Sequence, residues 1–109
     1  MRDKPDVAIV QNQLVISGDI VKPPRLTRSP AGIRHLHLSL EHRSEQLEAG
    51  LPRRSYVRIA VVVSGDEAAR WETELTVGSA VQVSGFLNRH EDSNGLAKLV
   101  LHAQQLVKI

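Results

Sequence analysis

Two of the three aromatic side chains in this sequence, Tyr56 and Phe86, are predicted to face solvent rather than a protein core. Side chains alternate between the two faces of a β-strand, so Tyr56 shares its face with Arg58 while the neighbouring valines share the other. Phe86 shares a face with Ser84 and Asn88 by the same alternation. Burying such a ring would remove roughly 150–250 Å² from water, so leaving two rings exposed calls for a ligand. Exposed rings beside a cation are typical of surfaces that stack on single-stranded nucleic acid.

Basic residues are concentrated in the part of the sequence that contains Tyr56. Residues 21–60 contain eight lysines and arginines and three acids, whereas residues 61–109 contain four bases and six acids. A basic half favours a polyanionic partner, although the net charge of the whole sequence is only +2. An isolated run of basic residues can instead serve only to keep the surface solvated. Exposed rings can instead form a contact between subunits. The coincidence of the two features favours nucleic acid.

Alternation of apolar and polar residues predicts five β-strands, with one short helix between the third and the fourth. The predicted strands cover residues 13–22, 33–42, 55–64, 80–90 and 96–109. Asp66 and Glu67, followed by two alanines, are typical of the first turn of a helix. Trp71 lies on this predicted helix, and we expect its ring to pack over one end of the sheet rather than to bind a ligand.

The predicted connections are rich in glycine, proline and charged residues. Residues 25–32 are predicted to form a turn, and residues 43–54 a polar connection. Asn94 and Gly95 form a dipeptide that is typical of a tight hairpin turn. Gly18 interrupts the first strand and predicts a bulge or a sharp bend there.

Five strands with a short helix between strands three and four describe an all-β fold, the five-stranded oligonucleotide/oligosaccharide-binding (OB) barrel. We expect residues 11–109 to form this domain and residues 1–10 to form a flexible leader. In an OB barrel, strands two and three form much of the ligand surface, and loops after strands one and four flank it. The positions of Tyr56, Arg58 and Phe86 agree with such a surface, as does the basic segment 22–28.

No residue pattern in the sequence is typical of a catalytic or metal site. A glycine-rich phosphate loop is absent, as are the short motifs of serine hydrolases and zinc peptidases. His35, His37 and His42 are close in sequence, but without cysteine or a well-placed acid they do not form a convincing zinc set. We therefore expect a binding module without a cofactor rather than an enzyme. The apolar runs are too short for a membrane span and no signal peptide is evident, so we expect a cytoplasmic protein.

Several short strings, distributed over residues 12–107, carry a resemblance to a known family. The strings are Leu14-Val15-Ile16-Ser17-Gly18, Ser29-Pro30-Ala31-Gly32-Ile33, Leu40-Glu41-His42-Arg43-Ser44, Glu48-Ala49-Gly50, Val61-Val62-Val63-Ser64-Gly65, Thr76-Val77-Gly78-Ser79, Gly85-Phe86, Asn94-Gly95-Leu96 and Lys98-Leu99-Val100-Leu101-His102-Ala103. Each string alone is a weak signal, but jointly they are specific. The sequence resembles the family of primosomal replication protein N (PriB) of bacterial replication restart.

The resemblance implies a homodimeric OB-fold protein that is related to single-stranded DNA-binding protein and binds single strands without catalysis. It also implies contacts with the restart helicase PriA and a DnaT-like primosome protein, with single-stranded DNA-binding protein as a further candidate partner. Tyr56 matches a family position where a ring, usually tryptophan, stacks on DNA, and Phe86 matches a second family aromatic. The basic family positions map onto Lys22, Arg43 and Lys98.

Departures from the family's pattern change what we expect of DNA binding. The loop after strand four is lysine-rich in the family, but here it contains Glu91, Asp92 and Ser93. Leu51 replaces another family aromatic. Acidic side chains repel phosphates, so we expect weaker binding and a shallower salt dependence than in lysine-bearing relatives. The basic residues on which contacts should then depend are Lys22, Arg25, Arg28, Arg34, Arg43 and Arg58.

The leading hypothesis is a non-catalytic single-stranded DNA-binding protein of the replication restart primosome. It would stabilise a helicase–DNA complex by base stacking and phosphate contacts. The alternative is a protein-interaction adaptor of the primosome with weak DNA affinity, in which the acidic loop and the exposed rings recognise a partner protein. A general coating protein of single strands is a third hypothesis, which the absence of an acidic tail after Ile109 disfavours.

Overall fold

The computed structural model describes residues 10–109, so the predicted leader at residues 1–10 lies outside the described residues except for Val10. Six strands and one helix follow one another along this part of the chain. The strands are β1 (Leu14–Ile20), β2 (Arg25–Arg28), β3 (Arg34–Glu48), β4 (Leu51–Ser64), β5 (Ala80–Glu91) and β6 (Ala97–Lys108). The helix, α1 (Asp66–Glu74), lies between β4 and β5.

The strands close into a barrel. Their order across the sheet is β1-β5-β6-β4-β3-β2, and β1 also pairs with β3 through Asp19↔Glu41 and Ile20↔Leu40, which closes the ring. β4 and β6 run parallel, whereas the other paired strands run antiparallel. β2 continues the path of β1 along β3, so the two form one long, interrupted strand. The ring therefore has the five strands of the predicted OB barrel, with the helix after the third of them.

The prediction of a turn after the first strand is wrong in part, because residues 25–28 form β2. Leu26 pairs with Leu36 and packs against the core. Proline has no N–H to donate to a ladder, so Pro23 and Pro24 interrupt the pairing with β3 without ending it. The chain leaves β3 for a few residues at the prolines and then pairs with it again.

The predicted polar connection over residues 43–54 is also wrong, because most of it is strand. β3 extends to Glu48 and β4 begins at Leu51, so the two strands form a long hairpin that turns at Ala49 and Gly50. Both turn residues have positive φ, 53° and 76°, as a tight two-residue hairpin turn requires. The hairpin projects beyond the barrel core and most of its residues are exposed, which is why the sequence shows no apolar alternation there.

Aliphatic side chains fill the barrel interior, largely from the positions that alternation predicts to face inward. The largest fully buried ones are Ile20, Leu36, Leu40, Val61, Val81, Val83 and Leu101. Burying a side chain of this kind stabilises the fold by roughly 1.5–3 kcal/mol relative to leaving it exposed. α1 packs against β2, β3 and β4, and it buries Ala68 and Trp71 as the prediction for Trp71 requires. No helix in residues 10–109 is long and apolar enough to cross a membrane.

Alternation along residues 96–109 predicts that Leu99, Leu101 and Ala103 face the interior and that Lys98, Val100 and His102 face outward, and for Leu99 this is wrong. Its side chain is 58% exposed, because the β5–β6 hairpin has left the barrel at this point and Leu99 lies opposite the exposed Arg89. Val100 lies on the predicted outer face of β6, yet it is buried. Alternation assigns a residue to one of two faces, but it does not show where the barrel ends or what covers its outer face.

Two glycines mark places where strands approach too closely for a side chain. A Cβ atom at Gly85 would overlap the carbonyl oxygen of His102, where the register between β5 and β6 shifts. A Cβ atom at Gly18 would overlap the carbonyl oxygen of Glu41, where β1 passes from β5 to β3. The predicted bend at Gly18 is thus a close crossing, and a bulge lies opposite Gly85, at Gln104 of β6. The alternation of β5 is unbroken here, so the bulge sets which residues of β6 share the face of Phe86, and it places His102 opposite that ring.

Candidate nucleic-acid interface

A groove of about 1040 Å³ crosses the outer face of the barrel over β3, β4 and β6. Its floor includes Ala60, Val62 and Val100, and Ala60 lies beside Val100 in the β4–β6 ladder. Residues 22–25 border the groove at the break between β1 and β2, and the end of β5 borders it beyond β6. An apolar floor with polar walls suits a ligand that combines flat rings with a charged backbone.

Three of the predicted contact residues, Lys22, Arg25 and Lys98, line this groove together. Lys22 and Arg25 flank the two prolines that interrupt the first strand, and Lys98 comes from the start of β6. None of the three forms a salt bridge with another residue of the described range 10–109. Their charges can therefore serve phosphate oxygens, for which lysine and arginine are common partners.

Two histidines of β3 face the groove from positions that alternation predicts to point outward. His37 Nε2 shares a hydrogen bond with Thr27 Oγ1 at 2.9 Å, and His35 Nδ1 shares one with Ser64 Oγ at 2.8 Å. These bonds hold both imidazole rings against the wall of the groove. Within residues 10–109, no group of three or more histidine, aspartate or glutamate side chains is arranged to hold a metal ion.

Phe86 stacks on His102 beside the groove, and His90 meets the edge of the His102 ring. The Phe86 ring lies parallel to that of His102, with centroids 4.9 Å apart and planes 8° apart. His90 adjoins His102 with centroids 5.1 Å apart, and the two Nε2 atoms are 2.9 Å apart, within hydrogen-bond distance. Both histidines line the groove, and Phe86 stands behind them. Phe86 is half-buried and one face of its ring is covered, so it supports His102 as a stacking surface.

Tyr56 lies outside the groove, further along β4. Its side chain is 57% exposed, and the guanidinium of Arg43 lies over its ring, 5.2 Å from the centroid. Tyr56 is four residues from Ala60 on the groove floor, which corresponds to roughly 13 Å along a strand. We call Glu41, Arg43, Tyr56 and Arg58 the Tyr56 patch. The structure thus separates the two predicted aromatic contacts into two places on the outer face of the sheet.

Glu41 is the member of the Tyr56 patch that the sequence did not reveal. Its carboxylate accepts hydrogen bonds from Arg58 Nη2 at 2.8 Å and from the Tyr56 hydroxyl at 2.9 Å, and it pairs with Arg43 Nη2 at 2.9 Å. Hydrogen bonds from Arg58 and then Tyr56 lower the pKa of Glu41 to about 2, so the carboxylate is ionised at neutral pH. The register of the β3–β4 hairpin places Glu41 opposite Arg58. This register can be predicted from the sequence only if the position of the hairpin turn is known.

Arg28 and Arg34 are not brought to the groove or to the Tyr56 patch. They lie opposite each other at the ends of β2 and β3, on the same face of the ladder as Leu26 rather than that of Arg25. Arg34 Nη2 approaches Asp66 Oδ1 of α1 at 3.7 Å. The structure therefore sets these two predicted contacts apart from the other basic residues.

Residues 12–105 match the profile of a family described as "another single-strand binding protein family". Replication restart protein PriB from Photorhabdus laumondii is 50% identical over 95 residues, which cover 87% of this chain and 90% of that protein. Replication restart protein PriB from Yersinia pestis is 46% identical over 98 residues, which cover 90% of this chain and 92% of that protein. This chain belongs to the PriB family.

A solved structure of priB from Ralstonia solanacearum has the same barrel. The two superpose with a TM-score of 0.74 over 92% of this chain and 100% of that chain, at 21% sequence identity. At that identity the likeness concerns the fold, and it agrees with the OB barrel predicted from the strand pattern. The predicted resemblance to the PriB family is confirmed by the sequence relatives over most of the chain.

The acidic loop that distinguishes this sequence from the expected PriB pattern lies at the rim of the groove. Glu91 and Asp92 both line it. The Asp92 carboxylate accepts hydrogen bonds from the backbone N–H groups of Asn94 and Leu96 at 2.8 and 2.9 Å, which fixes the predicted turn. Glu91 pairs with Arg89 at 3.3 Å. Negative charge thus borders the groove on the side opposite the proline break.

Acidification is expected to tighten oligonucleotide binding by this PriB-family chain. Burial lowers the pKa of His37 and of His102 below the ordinary value of 6.5. The charged or titratable groups that add to these shifts are Arg25, His35, Lys98 and His90. Both rings are therefore neutral at pH 7.5, and they add positive charge to the groove when pH falls through their lowered pKa values. A phosphate backbone stabilises that charge, so we expect about five-fold tighter binding at pH ~5.5 than at pH ~7.5.

The measurement is fluorescence anisotropy of a labelled oligothymidine at constant ionic strength, because thymine does not titrate in this range. A His37→Gln, His102→Gln double variant keeps His35 and His90 in the groove and should show a shallower profile, and a profile as steep as that of the wild type would contradict the prediction. The stability of the free protein should have the opposite pH dependence. A lowered pKa means that the unfolded chain binds these protons more readily, so stability without the oligonucleotide should fall as pH decreases below about 6.5.

Proposed function

We propose that this chain binds single-stranded DNA without catalysis, as a protein of replication restart. The observation that carries the proposal is the groove, in which an apolar floor is flanked by Lys22, Arg25 and Lys98. The names of the relatives supply the biological setting, since they are replication restart proteins. No reactive group is needed for this function, because the ligand is held by charge and stacking alone.

In this proposal, the strand crosses the groove and continues towards the Tyr56 patch. Phosphates contact the three groove cations, and bases stack on His102 and on Tyr56. Each stacked base would contribute roughly 1–3 kcal/mol, irrespective of its identity. The strand would thus be held in two places with little sequence preference, as suits a protein that acts wherever a replication fork is rebuilt.

The test is a titration of labelled oligothymidine at several salt concentrations. Three phosphate contacts predict a log–log slope of affinity against salt of about −2, since each contact contributes about −0.7 for a single strand. Unlabelled duplex DNA of the same length should compete poorly, because its bases are not available for stacking. An absence of binding at a salt concentration of about 50 mM would contradict the proposal.

The proposal also extends to what the DNA-bound chain does in the restart primosome. We infer that the chain stabilises a helicase–DNA complex of the restart primosome, with the restart helicase PriA and a DnaT-like protein as its partners and single-stranded DNA-binding protein as a further candidate. Support comes from the relatives' description as replication restart proteins and from exposed apolar side chains that do not line the groove. Co-sedimentation of helicase, oligonucleotide and this chain would test whether the three form one assembly.

A protein-interaction adaptor with weak DNA affinity is the second candidate function. It is favoured by Glu91 and Asp92 on the rim of the groove, because acidic side chains repel phosphates and attract basic proteins. Helicase stimulation by a variant that no longer binds DNA separates the two functions. Retained stimulation would support the adaptor, and lost stimulation would support DNA binding.

We also propose that two copies associate. β1 pairs with β5 along its length but with β3 only at Asp19 and Ile20, so within residues 10–109 no strand pairs with the other edge of residues 14–17, where the Ser17 carbonyl accepts a hydrogen bond from His42 Nδ1. Val15 on this segment is exposed. An open edge of this kind can accept a second strand, and the same edge of another copy would suffice. Light scattering should give twice the chain's 12.0 kDa mass if the proposal is correct.

A further inference from the structure

The Tyr56 patch is organised around a carboxylate. Glu41 Oε2 accepts hydrogen bonds from the Tyr56 hydroxyl at 2.9 Å and from Arg58 Nη2 at 2.8 Å. Glu41 Oε1 accepts a hydrogen bond from Arg43 Nε at 3.1 Å and lies 2.9 Å from Arg43 Nη2. Each carboxylate oxygen thus faces two donor atoms. The Glu41 side chain is only 15% exposed, so these contacts are partly shielded from water.

The donors that hold Glu41 are those that would recognise a backbone phosphate. A phosphodiester presents two anionic oxygens, as a carboxylate does, and arginine binds both groups with the same forked geometry. Arg43 and Arg58 therefore hold an internal anion where a strand stacked on Tyr56 would bring a phosphate. A carboxylate on the same chain also has a high effective concentration, so an incoming phosphate competes with it at a disadvantage.

We propose that Glu41 is a specificity-determining residue that limits ionic binding at the Tyr56 patch. The inference rests on the proposed binding of single-stranded DNA and deepens it. With Glu41 in place, the donors of Arg43 and Arg58 are engaged and the net charge of the three side chains is +1 rather than +2. The two arginines therefore attract phosphate less strongly, and stacking on Tyr56 contributes a larger share of binding at the patch. Ionic contact then comes mainly from the cations of the groove.

This arrangement favours single strands over duplex. Phosphates are present in both forms of DNA, whereas unpaired bases that can stack on an exposed ring occur only in single strands. A patch that binds through its cations would therefore attract both forms. A patch whose cations are already paired and whose ring is exposed on the side away from Arg43 discriminates between them.

The test replaces the carboxylate by an amide of the same shape, Glu41→Gln. The amide oxygen can still accept a hydrogen bond from Tyr56, but the negative charge that holds Arg43 and Arg58 and offsets one of their two positive charges is lost. We expect Glu41→Gln to bind oligothymidine about five-fold more tightly, with a salt slope steeper by about 0.7 for each phosphate gained. Duplex binding should increase by a larger factor, so that the preference for single strands decreases.

Glu45→Gln is the matched control. Glu45 lies on the same face of β3, four residues further along, and is exposed. Its replacement removes the same unit of negative charge without releasing Arg43 or Arg58. We expect it to change affinity by less than about two-fold, because exposed charges are largely screened at physiological salt. An effect of Glu41→Gln no larger than that of Glu45→Gln would overturn the inference.

A double-mutant cycle with Arg58→Gln gives a second, independent readout. In the wild type, Arg58→Gln should weaken oligothymidine binding by less than about two-fold, because its charge is already paired. In the Glu41→Gln background, the same replacement should remove much of the gained affinity and return the salt slope towards the wild-type value. Additive effects of the two substitutions would contradict the inference, since independent sites add and competing ones do not.

The binding measurements distinguish a failure of this inference from a failure of the proposed function. If the wild type binds oligothymidine and Glu41→Gln binds no better than Glu45→Gln, only the role of Glu41 is overturned. If neither the wild type nor Glu41→Gln binds, both are overturned. Circular dichroism melts of each variant verify that the barrel is folded, so that a weak binder is not mistaken for an unfolded one.

Discussion

Reversing two charges of the groove, Arg25→Glu together with Lys98→Glu, is expected to weaken oligothymidine binding about 100-fold at a salt concentration of about 0.1 M. Both side chains line the groove, one from each wall, and neither is paired with another residue between 10 and 109. The double reversal removes two phosphate contacts and adds one repulsive charge on each wall of the groove, in addition to those of Glu91 and Asp92. The salt slope should fall towards zero at the same time.

The control takes one basic residue from each of the same two strands. Arg28→Glu together with Lys108→Glu changes the net charge by the same amount, but these residues do not line the groove. We expect this double variant to bind oligothymidine no more than about five-fold more weakly than the wild type, because only the long-range electrostatic field changes. Anisotropy titrations of the two double variants at matched salt would make the comparison. Equal losses would mean that the net charge, and not the groove, determines binding.

Gly85→Ala is expected to destabilise the fold by about 3 kcal/mol, the upper part of the usual range for overpacking. The added Cβ atom would overlap the carbonyl oxygen of His102, and a backbone atom of a paired strand cannot move aside as a flexible side chain can. The register shift between Ser84 and Gly85 would have to be lost or displaced. Phe86 would then no longer be placed over His102, so DNA binding should decrease together with stability.

Urea denaturation followed by circular dichroism, at one fixed protein concentration, measures the change in the free energy of unfolding. Ser84→Ala is the neighbouring control, because Ser84 already carries a Cβ atom and is only half-buried. We expect it to change stability by less than about 0.5 kcal/mol, as substitutions away from special sites do. A Gly85→Ala variant that was as stable as Ser84→Ala would show that the strands can separate there at little cost.

The sequence predicts the barrel because each of its strands has one face in the core. Leu36, Leu38 and Leu40 alternate with polar residues, and that alternation gives both the strand and its inward face. Beyond the core the same reasoning fails. The hairpin that turns at Ala49 and Gly50 is exposed on both sides, so its pairing leaves no apolar pattern in the sequence.

The site was predictable in part for the same reason. Alternation places Tyr56 on the outer face of its strand, but it does not reveal that Glu41 lies beside it, since that depends on the register between two strands. Arg28 was grouped with Arg25 because they are close in sequence. The structure puts them on opposite faces of β2, a separation that follows from the strand and not from the composition of the segment.

The burial of Trp71 and the exposure of Tyr56 give the molecule two built-in optical reporters. The sequence holds one tryptophan and one tyrosine. Trp71 is a residue of α1 whose side chain is buried in the core, whereas Tyr56 is exposed in the Tyr56 patch. Indole emission should therefore follow the integrity of the barrel, and phenol emission should follow occupancy of its outer surface. A single unlabelled sample would then distinguish loss of fold from loss of ligand, with no dye attached to either partner.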